Sequence, residues 1–194
     1  MNVHIVYAHP STDGFTYQVL QSFIAGLDAA GHTYSVSDLY AKGFNPELGP
    51  AEYARESNYR ADDPIPADVA AEQQLLAAAD VWAFIYPVWW TDCPAKLKGW
   101  FDRVWTVGFA YAPQTVQPVR RALVICTAGH TAEHLRETGC YQAMETTMLV
   151  DRLHDRAQQK EFVLLGGSEA LEGEEREAMR ARHLDRVRCL AAEL

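Results

Sequence analysis

Short apolar runs recur along the chain at residues 3–8, 81–86, 122–126 and 162–165. Each is too short for an ordinary helix and is rich in β-branched or aromatic side chains, so each reads as a strand covered on both faces. Residues 33–39 alternate polar and apolar instead, which predicts a half-covered edge strand with Tyr34, Val36 and Leu39 facing inward. Between the strands the spacing turns helical. Val19, Leu20, Phe23, Ile24 and Leu27 form one apolar stripe that stops at Gly31, a C-terminal cap. Further helices are predicted over about residues 67–79, 94–105, 131–149 and 172–194.

A strand followed by a helix, repeated along the whole chain, predicts an α/β fold: a parallel sheet with helices on both faces and right-handed crossovers. The expectation is one domain over residues 1–194, with five strands in the order 2-1-3-4-5. The connection from residue 40 to residue 66 is long for this architecture and carries Asn45-Pro46, Gly49-Pro50 and Pro64-Ile65-Pro66, so it is expected to cover a ligand or reach another subunit. In such a sheet ligands sit beyond the carboxyl ends of the strands, where the order reverses. That places the chemistry in three loops, residues 9–16, 87–92 and 127–131.

The first loop sets three hydroxyl side chains and Gly14 between a buried strand and a helix start. Hydroxyls, free backbone N–H groups and the positive end of the helix dipole can together hold a phosphate, although a capped helix start has the same composition. In the second loop Trp89 and Trp90 are adjacent and cannot both enter one core face, so at least one is available to a planar ligand. Pro94 suits the first turn of the next helix, with Thr91 or Asp92 as its cap. Aromatic residues at a strand end also serve as core or dimer contacts.

Composition narrows the partners. With 48% hydrophobic and 22% charged residues the chain has the makings of a packed core. A net charge of -9, with no basic run, argues against a nucleic acid partner. Cys93, Cys126, Cys140 and Cys189 are too widely spaced for a metal site or a redox dithiol, and no metal is expected. The apolar start ends at His9-Pro10 without a basic flank, and no stretch has membrane-spanning length, so the expectation is a cytoplasmic protein that is not membrane-embedded.

Tyr7-Ala-His-Pro10, Ser37-Asp-Leu-Tyr40, Phe44-Asn-Pro46, Pro94-Ala-Lys-Leu-Lys-Gly-Trp-Phe-Asp-Arg-Val104 and Gly108-Phe-Ala-Tyr111 together resemble the NAD(P)H:quinone oxidoreductase family over most of residues 3–129. That family includes quinone reductases, modulators of drug activity and ancillary flavoproteins of potassium-efflux systems. The resemblance implies a flavodoxin-like fold and a flavin, FAD in preference to FMN. It also implies NAD(P)H as electron donor, a quinone or related acceptor, hydride transfer in two successive half-reactions, and a homodimer with a contact near residues 100–111. It further implies that His9, Ser11, Phe15 and Thr16 hold the phosphate and adenosine portion, and that Pro87, Val88, Trp89, Trp90 and Thr91 border the ring system. Thr127, Ala128, Gly129 and His130 would border it as well, with Trp90 and Tyr111 on the substrate side.

After Gly129 the match weakens. Positions at which some family members carry a tyrosine and a histidine fall on Leu135 and Tyr141, so Tyr141, His130 and His134 are the candidate catalytic donors beside the backbone amides of Gly129 and His130. His130-Thr-Ala-Glu-His134 also fits the H-x-x-E-H pattern of a zinc hydrolase, a competing reading with a short and error-prone signature. Another alternative is a regulatory flavoprotein subunit of a potassium-efflux system, since fold does not separate enzyme from partner.

Overall fold

The computed structural model describes residues 1–194. Strands β1 (Asn2–Tyr7), β2 (Thr33–Asp38), β3 (Val81–Pro87), β4 (Val119–Thr127) and β5 (Ala157–Leu165) form one parallel sheet in the order β2-β1-β3-β4-β5. Helices α1 (Phe15–Ala29), α2 (Pro50–Ser57), α3 (Ala67–Ala77), α4 (Ala95–Val104), α5 (Ala132–Glu137), α6 (Cys140–Thr146) and α7 (Gly173–Ala192) connect and cover it. A π-helical turn, Thr147–Arg152, follows α6. This is the flavodoxin-like α/β fold that the pattern and the resemblance call for.

Alternate residues of the buried strands feed two cores. Val3, Ile5, Ala83, Ile125 and Val163 meet α1 and α7, whereas Val6, Phe84, Val124 and Phe162 meet α3, α4 and the α5–α6 region. Helices α1 and α7 approach closely because residue 26 is glycine: a Cβ there would stand 2.2 Å from the Arg188 carbonyl oxygen. No helix is long and apolar enough to cross a membrane.

Three expectations need correction. In β2 the alternation is present but its sense is inverted, since Tyr34 and Val36 are 38% and 37% exposed whereas Ser37 is wholly buried. The covered face of this edge strand is polar, with a partner waiting. Ser37 Oγ and Trp100 Nε1 both donate to the buried Glu72 carboxylate of α3, at 3.0 and 2.9 Å, and Lys42 pairs with it. Leu39 is buried as expected. The helix expected over 131–149 is broken at Gly139, whose φ of 78° is left-handed, and the Thr138 hydroxyl caps the preceding turn by donating to the His134 carbonyl. The long connection after β2 contains a helix of its own, α2, started by Gly49-Pro50 with the Glu52 carboxylate accepting from the Gly49 amide at 3.0 Å.

His4 on β1 is wholly buried, with Nδ1 2.8 Å from Ser35 Oγ and Nε2 without a partner. Burial lowers its pKa to about 4 from an ordinary 6.5, against the pull of the Glu72 carboxylate. The unfolded chain therefore takes up this proton first as pH falls. The contribution is complete above the ordinary value and is lost as pH drops toward the folded one, by roughly 3 kcal/mol over the interval. Urea unfolding at neutral pH and at about pH 4.5 is expected to show a larger acid loss for the natural chain than for His4→Gln, and equal losses would contradict it.

Candidate functional site

The loops after β1, β3 and β4 meet at one rim of the sheet. Thr16 Oγ1 at the start of α1 lies 2.7 Å from Thr127 Oγ1 at the end of β4, and the pair is buried. The Val88 amide donates to the Thr127 carbonyl at 2.8 Å, and the His9 and Trp89 rings lie 6.4 Å apart. The first, second and third loops are thus tied to one another in pairs. His9 folds back through Nδ1 onto Ser11, and the Ser11 hydroxyl accepts from the Asp13 amide at 3.1 Å.

Helix α1 begins at Gly14 without a side-chain cap, and the amides of Gly14, Phe15 and Thr16 donate to no group of the chain. Fifteen residues of helix dipole stand behind these free donors. They are the setting that a phosphate requires. The Thr16 hydroxyl itself is committed to Thr127, so its amide is what it has to offer. Over Phe15 stands the Arg180 guanidinium, 5.4 Å from the ring centroid, and the Nε atoms of Arg176 and Arg180 are buried without a partner. These two arginines of α7 escaped the sequence reading. Their helix is separated from the first loop by most of the chain, and only the α1–α7 packing brings them together.

The second loop is a tight hairpin. The Trp89 amide donates to the Asp92 carbonyl at 2.9 Å and the Asp92 amide to the Trp89 carbonyl at 3.2 Å, with Trp90 and Thr91 between them at φ of 53° and 62°. Such turns favour asparagine and glycine, so a bulky and a β-branched residue in left-handed backbone store strain. Something must hold it. The Arg152 guanidinium, buried at the end of the π-helical turn, grips both Asp92 carboxylate oxygens at 2.9 and 3.1 Å and lies over the Phe101 ring. The Asp92 carboxylate in turn accepts from the Cys93 amide at 2.6 Å. The clamp presents Trp90 fully exposed and Trp89 41% exposed, adjacent aromatic surface at the loop tip.

In the third loop the carbonyls of residues 128–130 are anchored, whereas of the amides only that of Ala128 is, donating to the Leu165 carbonyl at 3.1 Å. The amides of Gly167, Ser168 and Glu169 donate in succession to the carbonyls of His130, Ala128 and Gly129, at 2.9, 3.2 and 3.1 Å. The amides of Gly129 and His130 donate to no group of the chain. The loop after β5 therefore acts as a rail behind the third loop. Gly166 permits the contact, because a Cβ there would stand 2.6 Å from the His130 carbonyl oxygen.

Of the remaining sequence-derived residues, Pro87 and Ala128 are buried at the strand ends and Val88 is half-buried. His130 and His134 are exposed, with rings 4.7 Å apart across the first turn of α5, which Thr131 caps. They are not part of any group of three or more metal-ligating side chains, so the zinc reading finds no ligand set here. Tyr141 packs its ring on Phe162 at 5.4 Å and under Arg136 at 4.4 Å, beside β5. Tyr111 donates from its hydroxyl to Glu56 at 2.9 Å. It lines a cavity of about 330 Å³ with Trp105 and Arg152, the same Arg152 that clamps the second loop. Burial, with the Glu56 carboxylate adding to it, pushes the Tyr111 phenol up to about 12.

The sheet order and the loop cluster at its carboxyl rim define a flavodoxin-like protein, and the family model described as "Flavodoxin-like fold" matches residues 1–186. The chain belongs to the NAD(P)H:quinone oxidoreductase family within that fold. A solved NAD(P)H:quinone oxidoreductase from Methanothermobacter marburgensis is 45% identical with a TM-score of 0.93, covering 100% of this chain and 95% of that one. NAD(P)H dehydrogenase [quinone] 1 of Rattus norvegicus is 34% identical over 125 residues, 58% of this chain and 46% of the relative, so this chain spans about half the length of that protein. An uncharacterized NAD(P)H oxidoreductase of Haemophilus influenzae is 28% identical over 187 residues, 92% of this chain and 90% of the relative. An FMN-dependent NADH-azoreductase from Bacillus anthracis, solved with FMN, has a TM-score of 0.74 at 16% identity over 100% and 99% of the two chains, a likeness of fold alone.

Proposed function

We propose that this protein is a flavin-dependent oxidoreductase that takes two electrons from NAD(P)H and delivers them to a quinone or a similar flat acceptor. The observation that carries the reading is the rim itself: three mutually tied loops leave free the amides of residues 14–16 at a helix N-terminus and those of Gly129 and His130, with the exposed Trp89 and Trp90 beside them. Bound there, a flavin would supply the hydride relay between nicotinamide and acceptor. The chain's own part is to hold, orient and shield. Amides 14–16 and Ser11 hold phosphate. Gly129 and His130 aim preorganised donors at the electron-rich edge of the ring system, with the His130, His134 and Tyr141 side chains as further donors. Trp89, Trp90 and Thr91 border the ring plane, and Tyr111 bounds the acceptor side.

FAD is favoured over FMN because Arg180, which stands over Phe15 and pairs with Glu177 at 3.4 Å, and Arg176, one turn earlier on α7, each have a buried Nε–H lacking an acceptor that would serve a second phosphate. The fully exposed Trp90 and the Tyr59–Tyr111 pair, with ring centroids 6.4 Å apart, give a second copy of the chain a surface to complete the acceptor side. All four cysteines are free thiols, in keeping with the reducing cytoplasm.

Anaerobic stopped-flow mixing tests the reading. NADH or NADPH alone is expected to bleach the flavin absorption, and a quinone added after the nucleotide has been removed is expected to restore it. A requirement for both substrates together would overturn the two-step reading. In the same experiment Tyr141→Phe is expected to slow the bleaching, and an unchanged rate removes Tyr141 from the donors.

A further inference from the structure

Beside the outer edge of β5, between α7 and the α5–α6 region, lies a cavity of about 400 Å³. This volume falls within the ordinary range for small-molecule sites. Its residues include neither the strand-end prolines and tryptophans of the second loop nor any residue of the first. Its lining is chemically lopsided. In a chain with 26 acidic and 17 basic residues, not one aspartate or glutamate lines this cavity, whereas Arg136, Arg186 and His183 do.

Neither arginine is neutralised. Arg136 and Arg186 take part in no ion pair, and the contact made by Arg136 is with the face of Tyr141. On α7 Arg180 and Arg188 pair with Glu177 and Asp185 at 3.4 and 2.5 Å, whereas Arg176 and Arg182, like Arg186, take part in no ion pair. His183 donates from Nε2 to the Gly166 carbonyl at 3.0 Å, which leaves Nδ1 as an acceptor on the neutral ring. Burial lowers the His183 pKa, against the pull of that carbonyl. Six of the lining residues are apolar, among them Met179 and the pair Tyr141 and Phe162, which stand edge to face at 5.4 Å and 89°.

The geometry points to a second small-molecule site, for an aromatic carboxylate whose flat body lies against Tyr141, Phe162 and Met179 and whose anion meets Arg136 and Arg186. The planar forks of the two guanidinium groups match a carboxylate. The aromatic walls and the thioether match a ring. The site shares Thr131 with the third loop and Tyr141 with the proposed flavin donors, but the two arginines that would meet the anion have no part in the flavin reading.

The test is calorimetric titration of the purified chain with 2-naphthoate, with and without saturating FAD, and with the neutral 2-naphthamide as comparison. Naphthoate is expected to bind in both conditions, more weakly as salt is added, and roughly tenfold or more tighter than the amide, as befits hydrogen bonds to a charged group. Arg136→Ala combined with Arg186→Ala is expected to remove that preference, and Met179→Trp, which fills the cavity, to weaken both ligands. Circular dichroism and the thermal midpoint confirm that the variants are folded. Equal binding of acid and amide, an unaltered preference in the double-arginine variant, or loss of naphthoate binding when FAD is added would each overturn the proposal. The last of these would place the naphthoate at the flavin rim. Failure of FAD to bind at all leaves the naphthoate result readable, so the two readings fail separately.

Discussion

Asp92→Ala is expected to destabilise the protein by about 2–3 kcal/mol and to weaken flavin binding by more than roughly tenfold. The variant leaves the buried Arg152 guanidinium without its carboxylate and removes the clamp on a turn whose two central residues sit in left-handed backbone. Breaking a fully buried pair costs about 3–5 kcal/mol. The figure is lower here because the Asp92 side chain is 45% exposed and water can partly replace it. Burial alone would raise the Asp92 carboxyl, and the Arg152 guanidinium outweighs it, holding the group below the usual carboxylate range. Its contribution is therefore present above the ordinary carboxylate value and is lost as pH falls through the folded one. Urea unfolding and fluorescence titration with flavin read the two effects. A variant as stable as the natural chain, with unaltered flavin affinity, would show that the clamp has no part in the site.

Gly166→Ala carries the second large effect. Its added methyl would stand 2.6 Å from the His130 carbonyl oxygen and 2.9 Å from the Ala132 amide nitrogen, both backbone atoms that cannot swing aside. The chain must separate the loop after β5 from the third loop, at a cost of about 1–3 kcal/mol or more. The amides of Gly129 and His130 lose their alignment with it, so flavin affinity is expected to fall by roughly tenfold or more, since their carbonyls are anchored from that rail. Gly43→Ala is the matching control. It lies at φ 62° with no atom near its added methyl, so it is expected to cost about 1 kcal/mol of backbone strain and leave flavin binding intact. Equal flavin affinity in the two variants would contradict the role given to the rail.

The strands were legible because β1, β3, β4 and β5 are buried runs with few competing interpretations, and the strand order follows from their alternation with helices. The face of β2 was not legible. Its inward residue, Ser37, is polar and its partner, Glu72, lies on α3, so a rule that sends apolar residues inward picks the wrong side. Gly139, placed within an otherwise helical pattern, was the local signal for the break between α5 and α6. The three loops were legible as a cluster from sheet order alone. The parts that hold them were less so. Arg152 reaches Asp92 across 60 positions and Arg180 reaches Phe15 from the last helix, contacts that exist only once the layers have packed.

The most direct measurement is the binding of flavin by the purified chain, by calorimetry and by chromatographic identification of the nucleotide released from yellow material. Tight binding of FAD, weaker binding of FMN, and loss of that preference in the Arg176→Ala, Arg180→Ala double variant are the predicted results. Protein that stays colourless after incubation with either nucleotide, and shows no heat of binding, would contradict the account at its centre.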